Sequence, residues 1–112
     1  MAGTLWTSVE AEKGEFWNIV TTGERSQVTM MTVEPGRVAG GPNTHETSDQ
    51  VSLVLEGRAR IRCWDEGPEK EPTERVCPAG SLIVIPAGTQ HWVKSVGEAP
   101  LVFFSVYAPP EY

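Results

Sequence analysis

From Phe16 onward the chain is a succession of short runs in which side chains alternate, each run closed by glycine or proline. In Gln27–Val33, Val28, Met30 and Thr32 fall on one side and Thr29, Met31 and Val33 on the other. In Arg58–Trp64, Arg58, Arg60 and Arg62 fall opposite Ala59, Ile61 and Cys63. A repeat of two residues puts successive side chains on opposite faces of a strand. The pattern predicts strands at Phe16–Thr21, Gln27–Val33, Val51–Glu56, Arg58–Trp64, Thr73–Cys77, Ser81–Ile85, His91–Ser95 and Leu101–Ala108. Turns are expected at Thr22-Gly23-Glu24, Glu34-Pro35-Gly36, Pro78-Ala79-Gly80 and Pro86-Ala87-Gly88, and Pro109-Pro110 ends regular structure because proline cannot donate to a ladder. No window sustains helical spacing of apolar residues. Short strands at even intervals between turns predict an all-β sandwich or barrel. Gly40–Asp49 reads as a polar, turn-rich loop and Asp65–Pro72 as a charged one. Thr4–Lys13 precedes the first strand, and Trp6 is expected to anchor this arm to the body.

Length and charge narrow the picture. A chain of 112 residues is expected to form a single domain, with an arm over 1–15 and a barrel over about 27–108. Its net charge of −6 opposes binding to nucleic acid or to an anionic membrane, since both require a basic patch. Apolar runs such as Leu82–Ile85 and Leu101–Phe104 are too short to cross a bilayer. No basic region followed by an apolar stretch opens the chain, so a cytoplasmic location is expected. A symmetric hairpin about Asp65–Pro72 would pair Cys63 with Glu74 and put the Cys63 and Cys77 thiols on opposite faces, which predicts free thiols. Their spacing fits neither a zinc nor a redox pair.

Both histidines lie beside predicted strands. Gly80-Ser-Leu-Ile-Val-Ile-Pro86-Ala-Gly88-Thr-Gln-His91 has glycine, five residues, proline, one residue, glycine, two residues and histidine. Upstream, Asn43-Thr-His45-Glu-Thr-Ser-Asp-Gln50 is followed after six residues by Gly57. The first of these runs matches the second conserved motif of the cupins, except that the motif's final asparagine would fall at Ser95. The upstream run resembles the first cupin motif with Gly57 and His45 in place, Asn43 at the position of its first histidine and Gln50 at that of its glutamate. The His45–Gln50 run and the Tyr107-Ala-Pro-Pro-Glu ending are also similar to small single-domain cupins often likened to mannose-6-phosphate isomerase.

The resemblance implies a double-stranded β-helix, or jelly-roll, barrel with His45, Gln50 and His91 pointing into one pocket and Asn43 in the site or at its rim. These residues are the expected ligands of a divalent metal ion: zinc, manganese, iron or nickel. Imidazole suits zinc, iron and nickel, and oxygen donors suit harder ions. Asn43 and Gln50 offer only neutral amide oxygens, so the charge of an ion would be less compensated than in a carboxylate site. The expected function is isomerase, lyase or dioxygenase chemistry on a small organic acid, sugar or carbonyl compound. The alternative is a metal-free barrel that binds a small metabolite. Oxalate-type decarboxylation is disfavoured, because in the family it relies on the full histidine and glutamate set. The resemblance, with a small barrel and exposed aromatics, also implies a homodimer. Asp49 should face outward if Gln50 faces inward, and Trp92 should face away from His91. Trp17, Trp64 and Trp92 are expected in the core or at an interface. One face of the last strand, carrying Phe103, Ser105 and Tyr107 or Val102, Phe104 and Val106, should line the barrel.

Overall fold

The computed structural model describes residues 3–112. A short helix, α1 (Val9–Glu12), precedes nine strands: β1 (Asn18–Thr22), β2 (Gln27–Val33), β3 (Val38–Asn43), β4 (Asp49–Glu56), β5 (Arg58–Trp64), β6 (Thr73–Pro78), β7 (Leu82–Ile85), β8 (Gln90–Ser95) and β9 (Leu101–Ala108). They form two antiparallel sheets, ordered β1-β2-β9-β4-β7 and β3-β8-β5-β6. The sheets face each other across a core of Met31, Val33, Val54, Ala59, Ile61, Cys77, Val93, Leu101 and Phe103. The expectation of an all-β, jelly-roll architecture therefore holds, and it is built from two sheets. Among the described residues no helix is long and apolar enough to cross a membrane.

Register explains why the pocket lies at one end of this core. Across the larger sheet, Gln27, Tyr107, Gln50 and Ile85 share one row. Thr29, Ser105, Ser52 and Ile83 form the next row, and Met31, Phe103 and Val54 the one beyond. The inner face thus grades from polar to apolar along the barrel. In the facing sheet, Asn43, His91 and Cys63 share a row at the polar end. The face of β9 that lines the barrel is the one bearing Phe103, Ser105 and Tyr107.

Several local expectations need correction. Gly40–Asp49 is not all loop: Val38–Asn43 forms β3, an edge strand paired irregularly with β8. An edge position tolerates Pro42, which has no N–H to give a ladder. α1 is one turn of helix, capped by Ser8, whose hydroxyl accepts from Ala11 N at 3.1 Å. The first strand begins at Asn18 rather than Phe16. Trp6 does not anchor the arm; it is 88% exposed. The arm is held by polar contacts instead. Gly14 N donates to Thr32 Oγ1 at 2.8 Å, Thr32 N donates to Glu15 O at 3.0 Å, and Lys13 pairs with Glu56.

The β5–β6 register is also shifted by one. Cys63 faces Thr73, and Cys77 faces Ala59, so both thiols lie on the inner side, although they remain free. The cause is local. Gly67 N donates to Trp64 O, so the turn begins at Trp64 and removes that residue from pairing with β6. A one-residue slip reverses every facing on the partner strand. The Arg58, Arg60 and Arg62 row faces outward as expected. Arg60 and Arg62 lie beside Glu74, and the Arg62 guanidinium sits 4.4 Å from the centre of the Trp92 ring.

Candidate functional site

His45 lies between β3 and β4, and His91 on β8. Two hydrogen bonds fix the loop of the first to the turn that precedes the second. Gly88 N donates to His45 O at 2.8 Å, and Ala87 N donates to the Asp49 carboxylate at 2.9 Å. Asp49 therefore faces outward while its neighbour Gln50 is buried, as alternation requires. The result is a pair of buried imidazoles with ring centres 5.0 Å apart. Trp92 points the other way, onto Arg62.

The rings border a cavity of about 250 Å³ whose wall includes Asn43, His45, Gln50 and His91. All four residues singled out in the sequence line one space: three are buried, and Asn43 is exposed at the rim, opposite His91 in the ladder. The rest of the wall is largely apolar: Phe16, Trp17, Met31, Val93, Phe103, Tyr107 and Tyr112 contribute to it. Among the described residues no lysine or arginine lines it. The volume suits a small metabolite and lies just below the range of ordinary ligand sites, about 300–1,000 Å³.

Hydrogen bonding sets which atoms remain free. The amide nitrogen of Gln50 donates to Ser52 Oγ at 3.1 Å and Ser105 Oγ at 3.3 Å, and those hydroxyls are 2.6 Å apart. Both partners are hydroxyls, which accept from an amide nitrogen or donate to an amide oxygen, so these contacts engage one end of the amide and leave the other open. In the arrangement present the open end is Oε1, which is buried and has no hydrogen-bond partner among the described residues, so it is free to accept from a group in the cavity. His91 Nδ1 lies 3.1 Å from Thr89 O. A carbonyl can only accept, so Nδ1 carries the proton and Nε2 keeps its lone pair. Burial lowers the pKa of His91 and nearby His45 adds to that effect, against the opposing contact with Thr89. Neutral His91 is thus favoured near pH 7. Burial, reinforced by the Tyr112 phenol, raises the pKa of Tyr107, so that phenol keeps its proton and can donate a hydrogen bond.

The sequence reading overlooked part of the wall. Trp17, expected in the core or at an interface, stands edge-on to Tyr112 with ring centres 4.7 Å apart. Tyr107 and Tyr112 each place a ring edge-on to His45. Glu111 brings Oε2 to 3.5 Å from His45 Nδ1. Tyr107 was already on one of the two candidate lining faces of the last strand; for Glu111 the only signal was the Tyr107-Ala-Pro-Pro-Glu ending, which stops short of Tyr112.

Known proteins place this architecture. The cupin domain pattern matches residues 29–107. The chain is 33% identical over 103 residues to YrkC of Bacillus subtilis, an uncharacterised protein, covering 90% of this chain and 53% of that one. It is 28% identical over 112 residues to the oxalate decarboxylase OxdC of the same organism, covering 93% of this chain and 27% of that one. The chain thus spans about half, or less, of the curated relatives it matches. The crystal structure of BH2720 from Bacillus halodurans superimposes with a TM-score of 0.87 at 31% identity, covering 96% of this chain and 83% of that one. With the domain pattern spanning β2 to β9 and both histidine-bearing runs lining one cavity, the chain belongs to the cupin domain family.

Proposed function

We propose that the cavity binds a small organic ligand together with a divalent metal ion held by His45, His91 and Gln50, with Asn43 contacting the ligand or the ion from the rim. The observation that carries this reading is the unpartnered Gln50 Oε1 buried in the wall that also holds the paired imidazoles. Among the described residues no three His, Cys, Asp or Glu side chains are grouped to hold an ion, so the third protein donor is an amide oxygen. Two imidazole nitrogens and an amide oxygen fit a borderline ion such as zinc or nickel, and admit iron or manganese. Neutral His91 needs no deprotonation before it coordinates.

A bound divalent ion supplies Lewis acidity to a carbonyl or hydroxyl oxygen, the chemistry that isomerases, lyases and dioxygenases of small organic acids, sugars and carbonyl compounds share. The protein's own residues account for the rest. Phe16, Trp17 and Phe103 exclude water from one side of the ligand, and Tyr107 offers a protonated phenol within the same wall. Asn43 presents amide donors and an acceptor from the open side. Asn43 and Gln50 replace the histidine and glutamate of the family motif, so the decarboxylase activity of the Bacillus subtilis relative is not extended to this chain.

The apolar share of the wall favours a second reading, in which the same polar groups hold an organic metabolite with no ion. Calorimetric titration of metal-free protein with Zn²⁺, Mn²⁺ and Ni²⁺ separates the two. The expected result is one ion per chain for at least one metal, weakened by about tenfold or more in His45→Ala, equivalent to about 1.4 kcal/mol. An identical isotherm in His45→Ala, or no heat above dilution with any of the three, rejects the metal reading.

A further inference from the structure

The segment after β9 reaches the cavity, where Tyr112 forms part of the wall, and one buried side chain holds it there. Gln27, at the start of β2, is 0% exposed. Its Oε1 accepts from Glu111 N at 3.1 Å and Tyr112 N at 2.8 Å. Its Nε2 donates to Tyr112 O at 2.9 Å and Thr22 Oγ1 at 2.8 Å. Ser48, in the loop that carries His45, donates to Pro109 O at 2.7 Å. Three of the four hydrogen bonds of the Gln27 amide thus go to the backbone of this segment. A glutamine is costly to bury unless all its hydrogen bonds are met, and here the chain meets them in order to place two side chains. Glu111 reaches His45 Nδ1, and Tyr112 closes the aromatic wall against Trp17 and Tyr107.

We propose that Glu111, set in place by Gln27, is the anionic positioning residue of this site and supplies from outside the barrel the negative charge that β4 lacks at Gln50. Its carboxylate lies 3.5 Å from His45 Nδ1, close enough to favour the tautomer with the proton on Nδ1 and the lone pair on Nε2, the form that Thr89 O sets for His91. A carboxylate behind a histidine fixes the ring and strengthens the opposite nitrogen as a donor. Both imidazoles then present Nε2 to a ligand, each backed by an oxygen.

This inference rests on the metal-binding reading, and Zn²⁺ titration tells the two apart. Glu111→Gln keeps the size of the side chain, and Glu111 is only partly buried, so its unfolding midpoint without metal should stay within about 2 °C of the parent. Its Zn²⁺ affinity should fall about 10-fold or more, the range for removing a carboxylate behind a metal-bound histidine. Glu111→Asp should recover part of the loss. Gln27→Ala should weaken Zn²⁺ binding although Glu111 is intact, and the double variant should bind no more weakly than the weaker single, since both changes remove one arrangement. If Gln27→Ala does not fold, the glutamate variants decide. A parent that binds Zn²⁺ with Glu111→Gln unchanged overturns the role of Glu111 and leaves the metal reading standing. A parent that does not bind Zn²⁺, Mn²⁺ or Ni²⁺ overturns both.

Discussion

Gln50→Glu is expected to tighten divalent-ion binding by about tenfold or more, while making the metal-free protein less stable. The two effects share one cause. A carboxylate at this position gives the ion a negative donor in place of a neutral carbonyl, and the neighbouring hydroxyls of Ser52 and Ser105, now within reach of the amide nitrogen, can turn their protons toward it. Without metal the same group is buried at 4% exposure, in a wall with no lysine or arginine among the described residues. Burial without a cationic partner raises a carboxylate's pKa and costs folding free energy. Calorimetry and thermal unfolding with and without Zn²⁺ read both effects. Lower stability without metal, reversed by metal, is the expected signature. Unchanged or weaker metal binding would place Gln50 outside the set of donors. Because Glu111 supplies charge to the same site, Glu111→Gln should cost less in the Gln50→Glu background than in the parent.

Gly57→Ala is expected to lower stability by about 3 kcal/mol, through backbone strain and a steric clash that add. Gly57 links β4 to β5 at φ +79°, a region that L side chains avoid. A Cβ there would meet Pro100 O at 2.5 Å and Leu101 Cα at 2.9 Å. Both contacts are backbone, and Leu101 has 0% exposure, so nothing nearby can yield cheaply. Chemical denaturation should show a lower midpoint with an unchanged slope. A loss under about 1 kcal/mol would mean that the β4–β5 turn relaxes far more than its packing suggests.

These two positions show how unevenly the structure was legible. Strands with two-residue alternation were readable because burial on one face imposes that pattern, and β2, β5 and β9 fell where it placed them. Gly57 and Gly88 were readable as motif positions, and the structure supplies reasons. Gly57 has no room for a side chain, and Gly88 takes φ +85° while its N–H secures the His45 loop. β3 was not readable, since Gly40-Gly41-Pro42 has the composition of a turn and only its place at a sheet edge makes it a strand. The facing of Cys77 was misjudged because parity depends on where the β5–β6 turn begins, and a single hydrogen bond to Trp64 decides that. Glu111 and Tyr112 escaped because Gln27 holds them by their backbone across 84 and 85 residues, which no side-chain pattern records. Trp17 carries no sign in the sequence of whether it meets core or cavity.

Anomalous diffraction at the zinc edge, from crystals grown with Zn²⁺, tests the account most directly. The predicted result is one strong peak per chain inside the cavity, about 2.0–2.1 Å from a ring nitrogen of both His45 and His91 and close to Gln50 Oε1. A peak only at the surface, or a cavity without one in protein shown by titration to carry zinc, would contradict it.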